Sequence, residues 1–222
     1  MNCAVIFDMD GLLIDSEPLW VKAEIDTFKD VGIILNKTLC AQTMGLRIDE
    51  AVSHWYQKKP WDHISQKTIE EKIIRTVMNL IQSEGKRCEG VHYILNFFKE
   101  KKIPIALASS SGKKIIDTAL IRLQITHYFD HIISAENEMY GKPHPGVFMT
   151  TANKLGIRPE HCLVFEDSFN GVIAAKAAKM KVVAVPEKEQ LKGPISHVAD
   201  ITIPSLKEFS LSCFDRLFPG QI

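Results

Sequence analysis

The chain has 222 residues, 45% hydrophobic and 24% charged, which is enough apolar content for a folded core and excludes a disordered polar chain. Its 27 Lys and Arg residues are matched by 27 Asp and Glu, so it lacks the basic excess of nucleic-acid and membrane-surface binders. There is no apolar run near the ~20 residues of a membrane helix, no signal-peptide pattern at the N-terminus, and no CxxC pair among the five cysteines. These features predict a cytoplasmic protein with reduced thiols, no nucleic-acid or membrane partner, and a monomer as the default.

In chain order, a first strand over Cys3–Phe7 runs into Asp8-Met9-Asp10-Gly11. Helical patterns follow over Glu17–Asp30, Ile48–Gln57 and Ser65–Ser83, the last with Ile69, Ile73, Ile74, Val77, Leu80 and Ile81 at helical spacing. Beyond Gly90 the pattern alternates. Helix Val91–Lys102 precedes strand Ile103–Ala108, and Ser111 is the expected N-cap of helix Gly112–Leu123. Strand Ile132–Ser134 precedes helix Pro145–Leu155, which stops at Gly156. Strand Cys162–Phe165 precedes helix Phe169–Ala178, capped by Ser168, and strands Val182–Val185 and Ile201–Ile203 close the series. Strands apolar on both faces, alternating with helices, predict an α/β fold with a doubly wound parallel sheet. The expected division is a core of residues 1–14 and 86–222 and a helical subdomain of residues 15–85 inserted after the first strand. Such an insertion is expected over the carboxyl edge of the sheet, where it can act as a lid.

Side chains two apart in a strand point the same way, so Asp8 and Asp10 face one site. Glu166-Asp167 ends a second strand and is delivered to the same edge. Converging carboxylates are costly without a cation, and all-oxygen donors suit magnesium. Ser109, Ser110 and Ser111 at a helix start form an anion site, and Lys142 on the Gly141-Lys142-Pro143-His144-Pro145 loop offers a positive charge. Together these describe a phosphoryl-transfer centre. His127 and His131 have i,i+4 spacing but no third ligand, so they are read as a turn entering a strand. Trp55, Tyr56 and Trp61 are read first as packing residues of the helical subdomain.

The ordered set Asp8-x-Asp10-Gly11, Ser109, Lys142-Pro143-x-Pro145 and Glu166-Asp167-Ser168-x-x-Gly171 resembles the haloacid dehalogenase superfamily, in its β-phosphoglucomutase-like class. The segments Leu13–Trp20, Gly45–Asp49 and Trp55–Trp61 resemble the bacterial hexitol phosphate and 2-deoxyglucose 6-phosphate phosphatases. The resemblance implies a Rossmann-like core under an α-helical cap, and a magnesium-dependent phosphatase acting on small sugar or sugar-alcohol phosphates. It implies Asp8 as nucleophile forming an aspartyl-phosphate, Asp10 as acid and base, and Ser109, Ser110 and Lys142 on the phosphoryl oxygens. Magnesium is implied at the Asp8 carboxylate, the Asp10 carbonyl and Asp167, with Glu166 close to it. Arg47, Glu17 and Trp20 are expected to reach the substrate from the cap. Asp10 disfavours dehalogenation, and Trp20 stands where mutases of this class carry a histidine. The alternatives are a phosphosugar mutase, a phospho-aspartate receiver domain, and a silent binding protein on the same fold.

Overall fold

The computed structural model describes residues 3–220. Six strands, β1 (Ala4–Phe7), β2 (Ile105–Ser109), β3 (His131–Ser134), β4 (Cys162–Glu166), β5 (Lys181–Ala184) and β6 (Ile201–Thr202), pair in parallel in the order β3-β2-β1-β4-β5-β6. β1 is therefore central, with β2 on one side and β4 on the other. The chain winds outward from β1 through β2 to β3, then crosses to β4. The switch in direction opens a crevice at the carboxyl ends of β1, β2 and β4, the place where open α/β sheets bind ligands.

Strand alternation sorts the core into two layers. Val5, Phe7, Leu107, Leu163 and Phe165 face one side, and Ala4, Ile6, Ala108, Cys162 and Val164 face the other. On the bulky side Phe7 stacks on Phe165 with centroids 4.9 Å apart. Phe98 and Phe209 meet Phe165 edge-on at 5.8 and 4.9 Å. Full burial of each such ring is worth about 1.5–3 kcal/mol. The paired rings are one residue before Asp8 and Glu166, so the two acidic strand ends rest on a rigid base. The small side chains of the other layer let helices approach closely.

Four helices, α1 (Glu17–Phe28), α2 (Lys37–Cys40), α3 (Ile48–Lys58) and α4 (Gln66–Glu84), separate β1 from α5 (Val91–Glu100). In α4, Ile69, Ile73, Val77 and Ile81 recur every four residues as a buried stripe. Phe28 of α1 meets Trp55 and Trp61 edge-on at 6.5 and 6.3 Å, so these indoles are spent on packing. The remaining helices are α6 (Lys113–Leu123), α7 (Gly146–Leu155), α8 (Phe169–Ala177), α9 (Ile195–Val198) and α10 (Leu211–Leu217).

Some boundaries differ from the sequence reading. β2 starts at Ile105, because Pro104 has no N–H for a ladder. Gly112, not Ser111, is the N-cap of α6, since the Ser111 hydroxyl is used elsewhere. Ser168 does cap α8, accepting from the Gly171 N–H, and Gly156 ends α7 in the left-handed region. Helices α2, α9 and α10 are too short to leave a periodic signal. Among the described residues the five cysteines are free thiols, and no helix is long and apolar enough to cross a membrane.

Candidate active site

The first strand ends against its neighbours in a tight turn. The Leu13 N–H donates to the Met9 carbonyl at 2.8 Å and the Gly11 N–H to that of Ile14 at 2.9 Å. Gly11 holds φ at +70°, and a Cβ there would overlap the Asp167 carboxylate. The glycine thus does two things: it turns the chain away and leaves room for Asp167 beside Asp8 and Asp10.

Lys142 is the electrostatic centre. It is 2% exposed, and its Nζ donates to Asp8 Oδ1 at 2.7 Å, Glu166 Oε1 at 2.6 Å and the Ala108 carbonyl at 3.2 Å. Burial alone would lower this ammonium, but Asp8 and Glu166 outweigh it and hold its pKa raised. Glu166 is consumed by this network, since its other oxygen accepts from the Ser168 N–H and hydroxyl, each at 3.0 Å. Burial pushes the Asp8 carboxyl up, with Lys142 opposing. Asp167 is raised well above the ordinary range by burial, then by Glu166 and Asp8.

Asp10 is held by three donors. Ser16 Oγ and Trp20 Nε1 donate to its Oδ1 at 2.6 and 2.9 Å, and Ser111 Oγ donates to Oδ2 at 2.7 Å. This is where the Ser111 hydroxyl goes instead of capping a helix. Ser109 Oγ accepts from the Ser111 N–H at 3.0 Å, and Ser110 Oγ donates to the Gly45 carbonyl at 2.9 Å. Both serines border the cavity. The sequence pattern does not assign Ser16 and Ser111 to Asp10. The signal for them is slight: a serine just before α1, and another two residues after Ser109.

The helical segment closes over this edge. Asn170 Nδ2 donates to the Met44 carbonyl at 3.1 Å, the Gly141 N–H to Glu50 Oε1 at 2.8 Å, and Gly45, at φ +78°, lies against Ser168. Arg47, expected to reach the substrate, does something else. Its guanidinium donates to the carbonyls of Ala135 and Glu138, at 3.2 and 2.7 Å, and pairs with Asp49. It does not line the cavity; it ties the helical segment to the sheet side.

The enclosed space, about 750 Å³ including its open mouth, is bordered by Asp8, Asp10, Ser109, Ser110, Lys142 and Asp167 on one side and by Glu17, Trp20 and Glu24 on the other. Burial, then Asp10 and Glu24, push the Glu17 carboxyl up to about 8, and burial pushes Glu24 up to about 7 with Cys40 opposing.

The profile of the haloacid dehalogenase-like hydrolases matches residues 5–185. The chain belongs to that family. Hexitol phosphatase B of Escherichia coli is 39% identical over 208 residues, 93% of this chain and 94% of that protein. Among solved structures, β-phosphoglucomutase from Clostridium difficile aligns with a TM-score of 0.84 at 26% identity, over 98% of this chain and 97% of the other. CbbY from Rhodobacter sphaeroides, in complex with phosphate, aligns with a TM-score of 0.87 at 21% identity, over 97% and 100%, a likeness of fold alone. As a member of this family with phosphatase relatives, the chain is a phosphoric monoester hydrolase.

The donor set of this haloacid dehalogenase-like hydrolase fits a hard divalent cation. Carboxylate oxygens of Asp8, Glu166 and Asp167 lie within 4.8 Å of one another and all three residues are buried. Glu166 is already bound by Lys142 and Ser168, which leaves Asp8 and Asp167 with oxygens to offer. Among the described residues no hydrogen-bond donor meets the Asp167 carboxylate, and a buried carboxylate so placed calls for a cation.

Proposed function

We propose that this hydrolase removes phosphate from small phosphorylated sugars and sugar alcohols, with magnesium as its cofactor. The observation that carries the chemistry is the state of Asp8. One of its oxygens is fixed by Lys142, the other is left to react, and Asp10 is oriented two residues away by three donors.

In this reading an Asp8 oxygen attacks phosphorus and the P–O bond to the sugar breaks, giving an aspartyl-phosphate. Asp10 gives its proton to the departing sugar oxygen. It then takes a proton from the water that attacks the acyl phosphate, releasing inorganic phosphate and restoring Asp8. Lys142, Ser109 and Ser110 hold the phosphoryl oxygens. Asp8, Asp167 and the Asp10 carbonyl would hold magnesium, which would supply positive charge against those oxygens. Residues 15–85 act as a cap on a core of residues 1–14 and 86–222. The contacts of Gly45, Arg47 and Glu50 with the sheet side support a closed state that keeps bulk water from the intermediate.

Two observations favour a sugar phosphatase over a mutase. The relative at 39% identity is a hexitol phosphatase. Trp20, whose indole donates to Asp10, offers no acid–base group to a second sugar hydroxyl. The test is phosphate release from hexose, hexitol and nucleotide phosphates, each with magnesium and with chelator. Release that needs magnesium and favours hexose and hexitol phosphates is expected. Equal release from nucleotides would discard the sugar reading, and interconversion of sugar phosphates without release would replace it with the mutase.

A further inference from the structure

Helix α1 presents one stripe to the cavity: Glu17, Trp20, Val21 and Glu24 all border it, the i, i+3, i+4, i+7 pattern of a single helical face. The stripe starts at the reacting end, where Trp20 donates to Asp10. Glu24 lies one turn further, about 6 Å along the axis. There the cavity wall changes character. Val21, Cys40 and Ala51 join Glu24 in lining it, and none of the three is a cation.

Glu24 is 8% exposed. Its Oε2 is buried and has no hydrogen-bond partner among the described residues. A buried, unsatisfied carboxyl oxygen costs on the order of 1–3 kcal/mol, and native proteins keep few of them without a use. No lysine or arginine is paired with it, so it is not part of a structural ion pair among the described residues. Glu24 thus borders the cavity with one carboxyl oxygen closed from solvent and unpaired, on the same helical stripe that touches the acid–base group, and a ligand hydroxyl that reaches this oxygen would supply the missing donor.

We propose that Glu24 is the specificity-determining residue of this enzyme, accepting a hydrogen bond from a hydroxyl of the substrate at the end remote from phosphorus. This rests on the phosphatase reading above and deepens it: the enzyme selects phosphomonoesters that carry a hydroxyl several atoms from the phosphate, and rejects those of equal length that lack it. A site that hydrogen-bonds a hydroxyl discriminates strongly against the analogue without one, because the buried acceptor is then left unpaired.

The experiment compares kcat/KM for hexitol 6-phosphate and n-hexyl phosphate, with magnesium, in the native enzyme, Glu24→Leu and Glu24→Met. The native enzyme is expected to favour the hexitol ester about 100-fold. In Glu24→Leu that ratio is expected to fall about tenfold or more, through hexitol phosphate rather than hexyl phosphate. Glu24→Met, of similar length but without an acceptor oxygen, is also expected to lower the ratio about tenfold, and it decides the matter if the leucine variant does not fold. A ratio unchanged in the methionine variant, or a native enzyme that hydrolyses both esters equally, overturns the role of Glu24 and leaves the phosphatase reading intact. No release from either ester by the native enzyme overturns the phosphatase reading and this inference with it.

Discussion

The cavity has two acidic walls, and they handle charge in opposite ways. On the sheet side, Asp8 and Glu166 share the buried Lys142 at 2.7 and 2.6 Å, Glu166 is further satisfied by Ser168, and Asp167 is left open beside them. On the helical side, Glu17 and Glu24 have no ion-pair partner among the described residues, and their carboxyls are pushed up to about 8 and about 7, chiefly by burial. The sheet side is a charged network, which the proposed function uses for phosphoryl transfer. The helical side holds its carboxyls raised toward neutral pH, and in the proposed function they face the hydroxyls of the substrate. The difference follows from construction: parallel strands force the first set together, while the second depends on how α1 packs over them.

The largest test of this contrast is Asp8→Asn. If the sheet wall is the reacting wall, steady-state phosphate release falls by more than about 10⁴-fold, since no other group can replace an attacking carboxylate. Measurable turnover near the native rate would move the chemistry away from this wall. Next comes Lys142→Met. Removing the shared cation leaves Asp8 and Glu166 buried and unpaired, a loss of about 3–5 kcal/mol of stability. Urea melts at pH 8 and pH 5 check it. The loss is larger at pH 8, because at pH 5 the stranded carboxyls take up protons and shed their charge.

Much of the sheet wall is legible in the amino-acid sequence. Asp8, Asp10, Ser109, Glu166 and Asp167 sit at the ends of apolar strand-length runs, and parallel pairing carries every such end to one edge. Lys142 is legible as a lone cation in a proline-bounded loop, although its position between Asp8 and Glu166 is not. The helical wall is harder. Glu24 lies in an amphipathic helix, where a glutamate normally faces water, and only the packing of the neighbouring helical segment buries it. Arg47 looks free to meet substrate because its partners, the carbonyls of Ala135 and Glu138, are 88 and 91 residues away. Ser16 and Ser111 converge on Asp10 from separate elements, which no local pattern encodes.

The third prediction probes the helical wall through pH. Glu24 titrates at about 7 in the folded chain against 4.5 unfolded. Between those values the folded state binds the extra proton, so stability falls as pH rises through the window and the full cost is present above pH 7. At 1.36 kcal/mol per pKa unit the cost is about 3 kcal/mol. Glu24→Gln cannot ionise. Its stability should match the native protein near pH 4.5 and exceed it by up to about 3 kcal/mol at pH 8, read from thermal or urea melts. A constant difference across pH would mean that Glu24 is solvated, and the two walls would then be alike.

The smallest expected effect separates charge tolerated for function from charge settled by a cation. Asp167 is buried beside Asp8 and Glu166, and its carboxylate meets no donor among the described residues. Asp167→Asn removes that repulsion while keeping the shape. Without divalent cation the variant should therefore be more stable than the native protein by about 1–2 kcal/mol, a rise of about 2–8 °C in Tm for a chain of this size. Millimolar magnesium should raise the native Tm by binding the folded state, and should raise that of the variant much less. Activity moves the other way, falling by about 10²-fold or more even in saturating magnesium. A gain in stability with a loss of rate marks a residue kept for chemistry at the expense of the fold. If Asp167→Asn instead destabilised the metal-free protein, Asp167 would be a structural acceptor, and the sheet wall would be complete with Lys142 alone.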